Sequence, residues 1–317
     1  MNSAKKIFDF FLTLYRRINS PFFSIHNLYQ LLKNTDKRQY IAKDPLDSFA
    51  LISPTFSQMN AMRKEILQRK QHYQGIQKLA EQNGGKIIID IGANIGYYSR
   101  ACSHYCKDLE IISIEPSIKN LSFCSMNLRD RHNVSIFHLG LGETFGRFDL
   151  AIPEYANDRE GENKSNTGLL SAIGNTSPMG TRFFEFDSFC SFAEIDFNNI
   201  AWIKIDVEGF ELNVLKGMKE LLLKTNAAIE IELNCQTLNL SQTTFNEMLS
   251  VFNSFNFIPM RNKDINPNTD IPNLIVLDLV FVKKNLMQAS QEHLELVEFT
   301  ENEIYCWNEA FKSEFGF

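Results

Sequence analysis

The sequence predicts an α/β protein built on a mostly parallel β-sheet with helices on both faces. Two observations carry this. Residues 87–91 form a continuous β-branched run, Ile-Ile-Ile-Asp-Ile, as expected of a strand covered on both sides. Beyond it, strand-like and helix-like stretches alternate, the pattern of parallel strands joined by crossover helices.

The segments follow in order. Residues 1–85 read as an N-terminal, mainly helical extension. Ile7, Phe8, Phe11, Leu12 and Tyr15 recur at helical spacing between Lys5-Lys6 and Arg16-Arg17. This apolar run is too short to span a bilayer, which takes about 20 residues. Asp9 interrupts it and no small-residue cleavage site follows, which argues against a signal peptide. The expectation for residues 5–18 is an amphipathic helix that packs on the main domain or makes peripheral membrane contact. Residues 57–82 are rich in helix formers, and Asn83-Gly84-Gly85 should end that helix.

From Lys86 the alternation begins. Strands are expected over residues 87–91, 110–115, 134–139, 200–206 and 228–233. Helices are expected over 97–106, 118–129, from the turn after 206 to 222, and 242–255. Residues 257–261 and 275–283 have no helix between them and should form an antiparallel pair at one edge. Between about 143 and 199 the alternation gives way to a β-rich insert, with short strands at 147–152, 168–173 and 181–186. The organisation expected is an extension (1–85), a main domain (86–285) and a C-terminal tail (286–317).

Composition bounds the function. The chain has 317 residues, 44% hydrophobic and 22% charged, ample for a sizeable core. A net charge of -6 argues against a nucleic-acid partner, which needs clustered Lys and Arg. Six scattered cysteines make no disulfide framework, and the default compartment is the reducing cytoplasm. Cys102 and Cys106 lie one helical turn apart on a core face that His104 leaves, so they are read as packing residues. Phenylalanine is unusually frequent, at 27 residues, and its pattern alone assigns it no function.

Three motifs carry chemistry. Asp90-x-Gly92-x-Asn94-x-Gly96 follows the first buried strand and opens a helix. Ligands in such sheets bind beyond the carboxyl ends of the strands. Glycines there allow a sharp turn and close backbone approach, and Asp90 is expected to point its carboxylate into the crevice. The spacing is not the nicotinamide fingerprint, and no P-loop lysine follows. Glu115, followed by Pro116, ends the second strand about 20 residues beyond the glycines, a place from which an acid accepts hydrogen bonds from ribose hydroxyls. Trp202-Ile203-Lys204-Ile205-Asp206-Val207-Glu208-Gly209-Phe210-Glu211 is a buried strand ending in carboxylates around a glycine turn. Glu211 suits the N-terminus of the following helix, whereas Asp206 belongs to the crevice.

Together these segments resemble the FkbM family of methyltransferases. The resemblance is carried by Asp90 to Gly96, Glu115-Pro116 with Asn127, Asn166-Thr167-Gly168 with Ser171, Phe186-Asp187-Ser188-Phe189, Ile203 to Glu211 with Leu215-Lys216-Gly217, and Glu232. It covers about residues 86–285. It implies a class I methyltransferase (Rossmann-like) fold, a seven-stranded, mostly parallel sheet with an antiparallel edge strand. It also implies S-adenosyl-L-methionine as cofactor and O-methylation of a hydroxyl on a sugar, glycan or natural product. The implied cofactor set is Asp90, Gly92, Ala93, Asn94, Gly96, Glu115, Pro116 and Gly140, with the stretch 139–142 bordering the adenine. The acid often found after the third strand is displaced to Glu143.

An alcohol is a weak nucleophile while protonated, so a general base is expected. Asp206 is the first candidate, Glu208 the second and Glu232 the third. No metal is assigned, although these carboxylates could instead hold a divalent ion that orients a diol. Two other functions stay open: a catalytically silent cofactor-binding or interaction protein on the same fold, and a methyltransferase acting on protein or another small molecule. Asn166 and Ser171 in the insert could meet a polar acceptor or cap turns.

Overall fold

The computed structural model describes residues 40–47, 49–150, 180–234, 238, 241, 243–264, 276–305 and 309. The expected amphipathic helix at 5–18, the strand at 168–173, and Asn166 and Ser171 lie outside them.

The order begins with strands β1 (Tyr40–Lys43) and β2 (Ala50–Ser53), then helices α1 (Phe56–Gln68) and α2 (Lys70–Asn83). The alternating core follows: β3 (Ile87–Ile91), α3 (Tyr97–Tyr105), β4 (Glu110–Ile114), α4 (Ile118–Asn127) and β5 (Val134–Phe137). The insert contributes β6 (Gly140–Gly142), β7 (Gly146–Phe148), β8 (Thr181–Glu185) and α5 (Phe186–Phe192). Then come β9 (Ile200–Ile205), α6 (Glu211–Lys216), α7 (Lys219–Lys224), β10 (Ala228–Asn234), α8 (Phe245–Ser254), β11 (Phe257–Asn262), β12 (Val276–Lys283), α9 (Met287–Leu294) and β13 (Leu296–Glu298).

The main sheet runs β13-β11-β12-β10-β9-β3-β4-β5. Neighbours from β5 to β10 are parallel. Within this sheet the chain enters at β3 in the middle, winds out to β5, then returns to β9 on the other side. That reversal opens a crevice between the carboxyl ends of β3 and β9, where such sheets bind ligands. All five residues of β3 and all six of β9 are buried, which explains why both are apolar but for Asp90 and Lys204.

The sheet differs from expectation in two ways. It has eight strands, not seven, because the tail supplies β13. Leu296 and Phe299 are buried as that tail covers the edge of β11. The antiparallel strand β12 is also not at the edge. It is inserted between β10 and β11 and pairs antiparallel with both.

Local chemistry explains the other boundaries. α2 ends on Gly84 in the left-handed region (φ 78°), whose N–H bonds to Ala80 O. The helix expected to reach 222 is broken into α6 and α7 at Gly217. A Cβ there would lie 2.1 Å from the carbonyl oxygen of Gly142, so α6 packs directly on β6. The insert forms its own sheet, ordered β6-β8-β7.

The segment before Lys86 is not helical throughout. β1 and β2 form a hairpin fastened by Asn127, whose side chain accepts from Ile52 N (2.8 Å) and donates to Ile52 O (2.9 Å) and Ile95 O (2.8 Å). Arg100 lies beneath the hairpin, fully buried, and pairs with Asp44, Asp47 and Asp130. Removing one partner of a buried pair leaves an uncompensated charge, typically costing about 3–5 kcal/mol. Arg100→Met should therefore destabilise the chain by about 3–5 kcal/mol, read from the urea midpoint. A midpoint equal to the parent's would show that the ion cluster contributes nothing. Cys102 and Cys106 are fully buried core residues, with Cys106 Sγ 3.2 Å from Tyr73 O. No helix among the described residues is long and apolar enough to cross a membrane.

Candidate active site

Side chains alternate faces along a strand, and directly paired residues share a face. The register therefore aligns polar residues in two rows across an otherwise apolar sheet. Ser113 pairs with Asp90, Asp90 with Lys204, and Lys204 with Glu230. Two residues further along the strands lie Asp206 beyond β9, and Glu232 paired with Asp278. α3 covers the first row. Ser99 Oγ donates to Asp90 Oδ2 (2.5 Å), and Tyr98 OH donates to Glu230 Oε2 (2.6 Å).

The second row opens on the crevice, a space of about 570 Å³ counted to its mouth. It is lined by Gly92, Asn94, Glu115, Pro116 and Gly140, and by Asp206, Val207 and Glu208 from the turn after β9. Glu115 is held by two backbone donors, Ser117 N to Oε1 (2.8 Å) and Asn94 N to Oε2 (2.7 Å). The Asn120 side chain is a third donor to this carboxylate.

Gly92 has φ 86°, and a Cβ there would fall 1.9 Å from Asp206 O. Its missing side chain lets the turns after β3 and β9 touch. Asn94 and Glu208 also have positive φ, at 51° and 53°.

Asp90, Ala93 and Gly96 do not line the crevice. Asp90, expected to point into it, is fully buried in the row under α3. Ala93 packs with Leu121, Cys124 and Leu128. Gly96 (φ 85°) starts α3 where a Cβ would press on Cys124 and Leu128. Glu232 is not among the residues that line the crevice, but it joins Asp206 and Glu208. One carboxylate oxygen from each of Asp206, Glu208 and Glu232 lies within 4.8 Å of the others. Such a spacing could hold a divalent cation.

Crowding sets the charges. Glu232 is pushed up to about 9, first by the charge of Asp206 and then by burial. Burial, with Asp206 and Glu232 beside it, lifts Glu208 well above the usual carboxylate range. Burial pulls the Lys204 ammonium down, but Asp206 at 2.7 Å outweighs it and holds it well above the ordinary lysine value.

Sequence reasoning missed an aromatic wall. Phe148, Phe183 and Phe210 contact edge to face, with centroids 4.9, 5.6 and 5.9 Å apart, and Phe183 and Phe210 line the crevice with Leu150. A Cβ at Gly140 would strike the Phe183 ring at 2.3 Å, and one at Gly142 the Phe210 ring at 2.9 Å. The signal was Gly140-x-Gly142, spaced to face one side of a strand. Asn127 and Asp187, quoted for the family pattern, are structural. Asp187 accepts from Glu220 N and Leu221 N and so caps α7.

Residues 90–259 match the family model of the methyltransferase FkbM domain. This chain belongs to the FkbM methyltransferase family. It is 23% identical over 205 residues to the 2-O-methyltransferase NoeI of Sinorhizobium fredii (strain NBRC 101917 / NGR234), covering 62% of this chain and 82% of the relative. Among solved structures it is similar to the FkbM methyltransferase from Methylobacillus flagellatus KT, at 17% identity and a TM-score of 0.36. That match covers 62% of this chain, which spans 43% of the other. It is also similar to an O-methyltransferase from Bacillus cereus in complex with SAH, at 13% identity and a TM-score of 0.37, over 70% and 91% of the two chains. Within the FkbM domain, the glycine turn, Glu115, the acids after β9 and Glu232 of β10 fall at the carboxyl ends of the parallel strands.

Proposed function

We propose that this FkbM methyltransferase moves a methyl group from S-adenosylmethionine to a hydroxyl of a sugar, glycan or related natural product. The observation that carries this is the lining of one crevice. The glycine turn after β3 and Glu115 after β4 line it together with Asp206 and Glu208 after β9, and Glu232 lies beside those two acids. The 2-O-methyltransferase relative supports a hydroxyl as acceptor.

The residues fit an adenosyl sulfonium. Asn94 Oδ1 and Glu208 Oε2 are buried acceptors without a hydrogen-bond partner, suited to a ligand rich in ammonium and hydroxyl donors. When bound, the cofactor supplies an electrophilic methyl group. Glu115 would take the ribose hydroxyls, with Gly92 and Asn94 beside it. Asp206 would orient the acceptor hydroxyl and take its proton on the oxygen that Lys204 does not hold. Alignment of nucleophile and methyl group supplies the rest of the rate.

Calorimetric titration with S-adenosylhomocysteine tests the cofactor half, and tritiated-methyl transfer to a panel of methyl glycosides tests the acceptor half. Absence of any binding would overturn the reading in favour of an interaction protein. The carboxylate spacing also favours a second reading, in which a divalent cation orients a diol. Loss of transfer on chelation, restored by Mn²⁺, would establish it, and unchanged transfer would dismiss it.

The buried acids predict a pH dependence. Burial pushes Asp90 up to about 6, Glu211 to about 7 and Glu115 to about 8. Each holds its proton more tightly folded than unfolded. Their stabilising contribution is complete below their unfolded values of about 4 and is lost as pH rises through the folded values. Glu230 is held well below the usual range, against burial, by His72 and Arg69. It stays ionised above about pH 5 in both states and adds no slope there. The melting temperature of the ligand-free chain should fall from about pH 5 to about pH 9. Affinity for S-adenosylhomocysteine should rise between about pH 6.5 and 8.5 as Glu115 ionises, and Glu115→Gln should flatten that rise. A pH-independent affinity in the parent chain would contradict the role given to Glu115.

A further inference from the structure

Lys204 interrupts an apolar strand, and no step above uses it as a reacting group. It is 3% exposed. Its backbone neighbours across the sheet are Asp90 and Glu230, and its ammonium meets Asp206 Oδ2 at 2.7 Å. The same ammonium lies 5.0 Å from the centre of the Tyr98 ring. That ring is itself fixed, since Tyr98 OH accepts from Trp202 Nε1 (2.9 Å) and donates to Glu230. Trp202, Lys204 and Asp206 share one face of the strand at two-residue spacing.

We infer that Lys204 is a positioning residue, which holds one oxygen of Asp206 so that the other faces the acceptor. Asp206 sits at a strand end on a turn shared with Glu208, near two other carboxylates that repel it. A buried ammonium clamped by the Trp202–Tyr98 column gives it one orientation. The column is sequestered beneath α3, so its order does not depend on a ligand in the crevice. This inference rests on the reading of Asp206 as the proton acceptor.

The test is Lys204→Met in the full chain, with S-adenosylhomocysteine bound. Its crystal structure should show the Asp206 carboxylate turned from its native orientation. With tritiated-methyl S-adenosylmethionine and a methylated glycoside of the panel, kcat should fall about 30-fold or more, while acceptor KM and cofactor Kd change less than about threefold. In an Asp206→Asn background the same lysine substitution should cost less than about threefold, because it acts through that carboxylate. An unmoved Asp206, or an equal loss in both backgrounds, overturns the inference. Normal turnover in Asp206→Asn alone would instead overturn the proton-acceptor reading.

If the neutral lysine variants do not fold, the parent and Asp206→Asn chains still decide the matter. The Lys204 ammonium resonance should be protected from exchange in the parent and should shift or vanish in Asp206→Asn. An identical resonance in both chains refutes the clamp.

Discussion

Asp206→Asn should lower the turnover of bound cofactor by about 10²–10⁴-fold, the range ascribed to a positioned general base. The asparagine keeps the shape and can still accept from Lys204, but it cannot take a proton from the acceptor. Cofactor affinity should change little, because the ribose hydroxyls are assigned to Glu115 and not to Asp206. Calorimetry and single-turnover transfer separate the two effects. Collapsed affinity with normal turnover would reverse the assignment and make Asp206 a cofactor ligand. Glu208 and Glu232 are both lifted above the usual carboxylate range by burial and by Asp206 itself, so Asp206→Asn removes one cause of each shift.

Gly92→Ala should abolish measurable binding of S-adenosylhomocysteine and destabilise the chain by about 2–4 kcal/mol. The residue adopts φ 86°, and its Cβ would lie 1.9 Å from Asp206 O and 2.8 Å from Asp206 C. Both are backbone atoms, so no side-chain rotation relieves the contact. The turns after β3 and β9 must part, which widens the crevice and moves Asp206 away from the glycine turn. Gly84 is the control. It has φ 78°, but a Cβ there would meet nothing within 4 Å, so Gly84→Ala should cost about 1–2 kcal/mol and leave binding intact. Equal effects at both positions would show that φ alone matters, not the contact between the two turns.

Much of the fold was legible because its signals are local. Ile87–Ile91 and Ile200–Ile205 read as buried strands since β-branched runs have few other uses. Gly84 ended a helix where a left-handed residue was needed. Less legible was anything set by pairing between distant segments. β13 is three residues long and carries no strand signal of its own; the exposed edge of β11 recruits it. The same holds for the break at Gly217, which depends on the approach of β6. Among candidate site residues, Glu115 and Asp206 stood at strand ends, and both line the crevice. Phe183 and Phe210 belong to the insert and to a helix start, and only packing against Gly140 and Gly142 brings them to the crevice. Asp90 was placed one row too far forward, because its distance from the strand end is a matter of register.

The order of residues alone was enough for a parallel sheet whose strands end in a glycine turn and acids, and through those motifs for the FkbM family. These follow from periodicity, burial and the chemistry of single positions. Which acids meet was left to the folded chain. Folding set Lys204 between Asp90 and Glu230 and beneath Asp206, and gathered Asp206, Glu208 and Glu232 within 4.8 Å. The physical reason is register. Which residues stand side by side across a sheet is settled by the packing of whole strands and helices, and a shift of one residue would turn every one of these carboxylates to the other face.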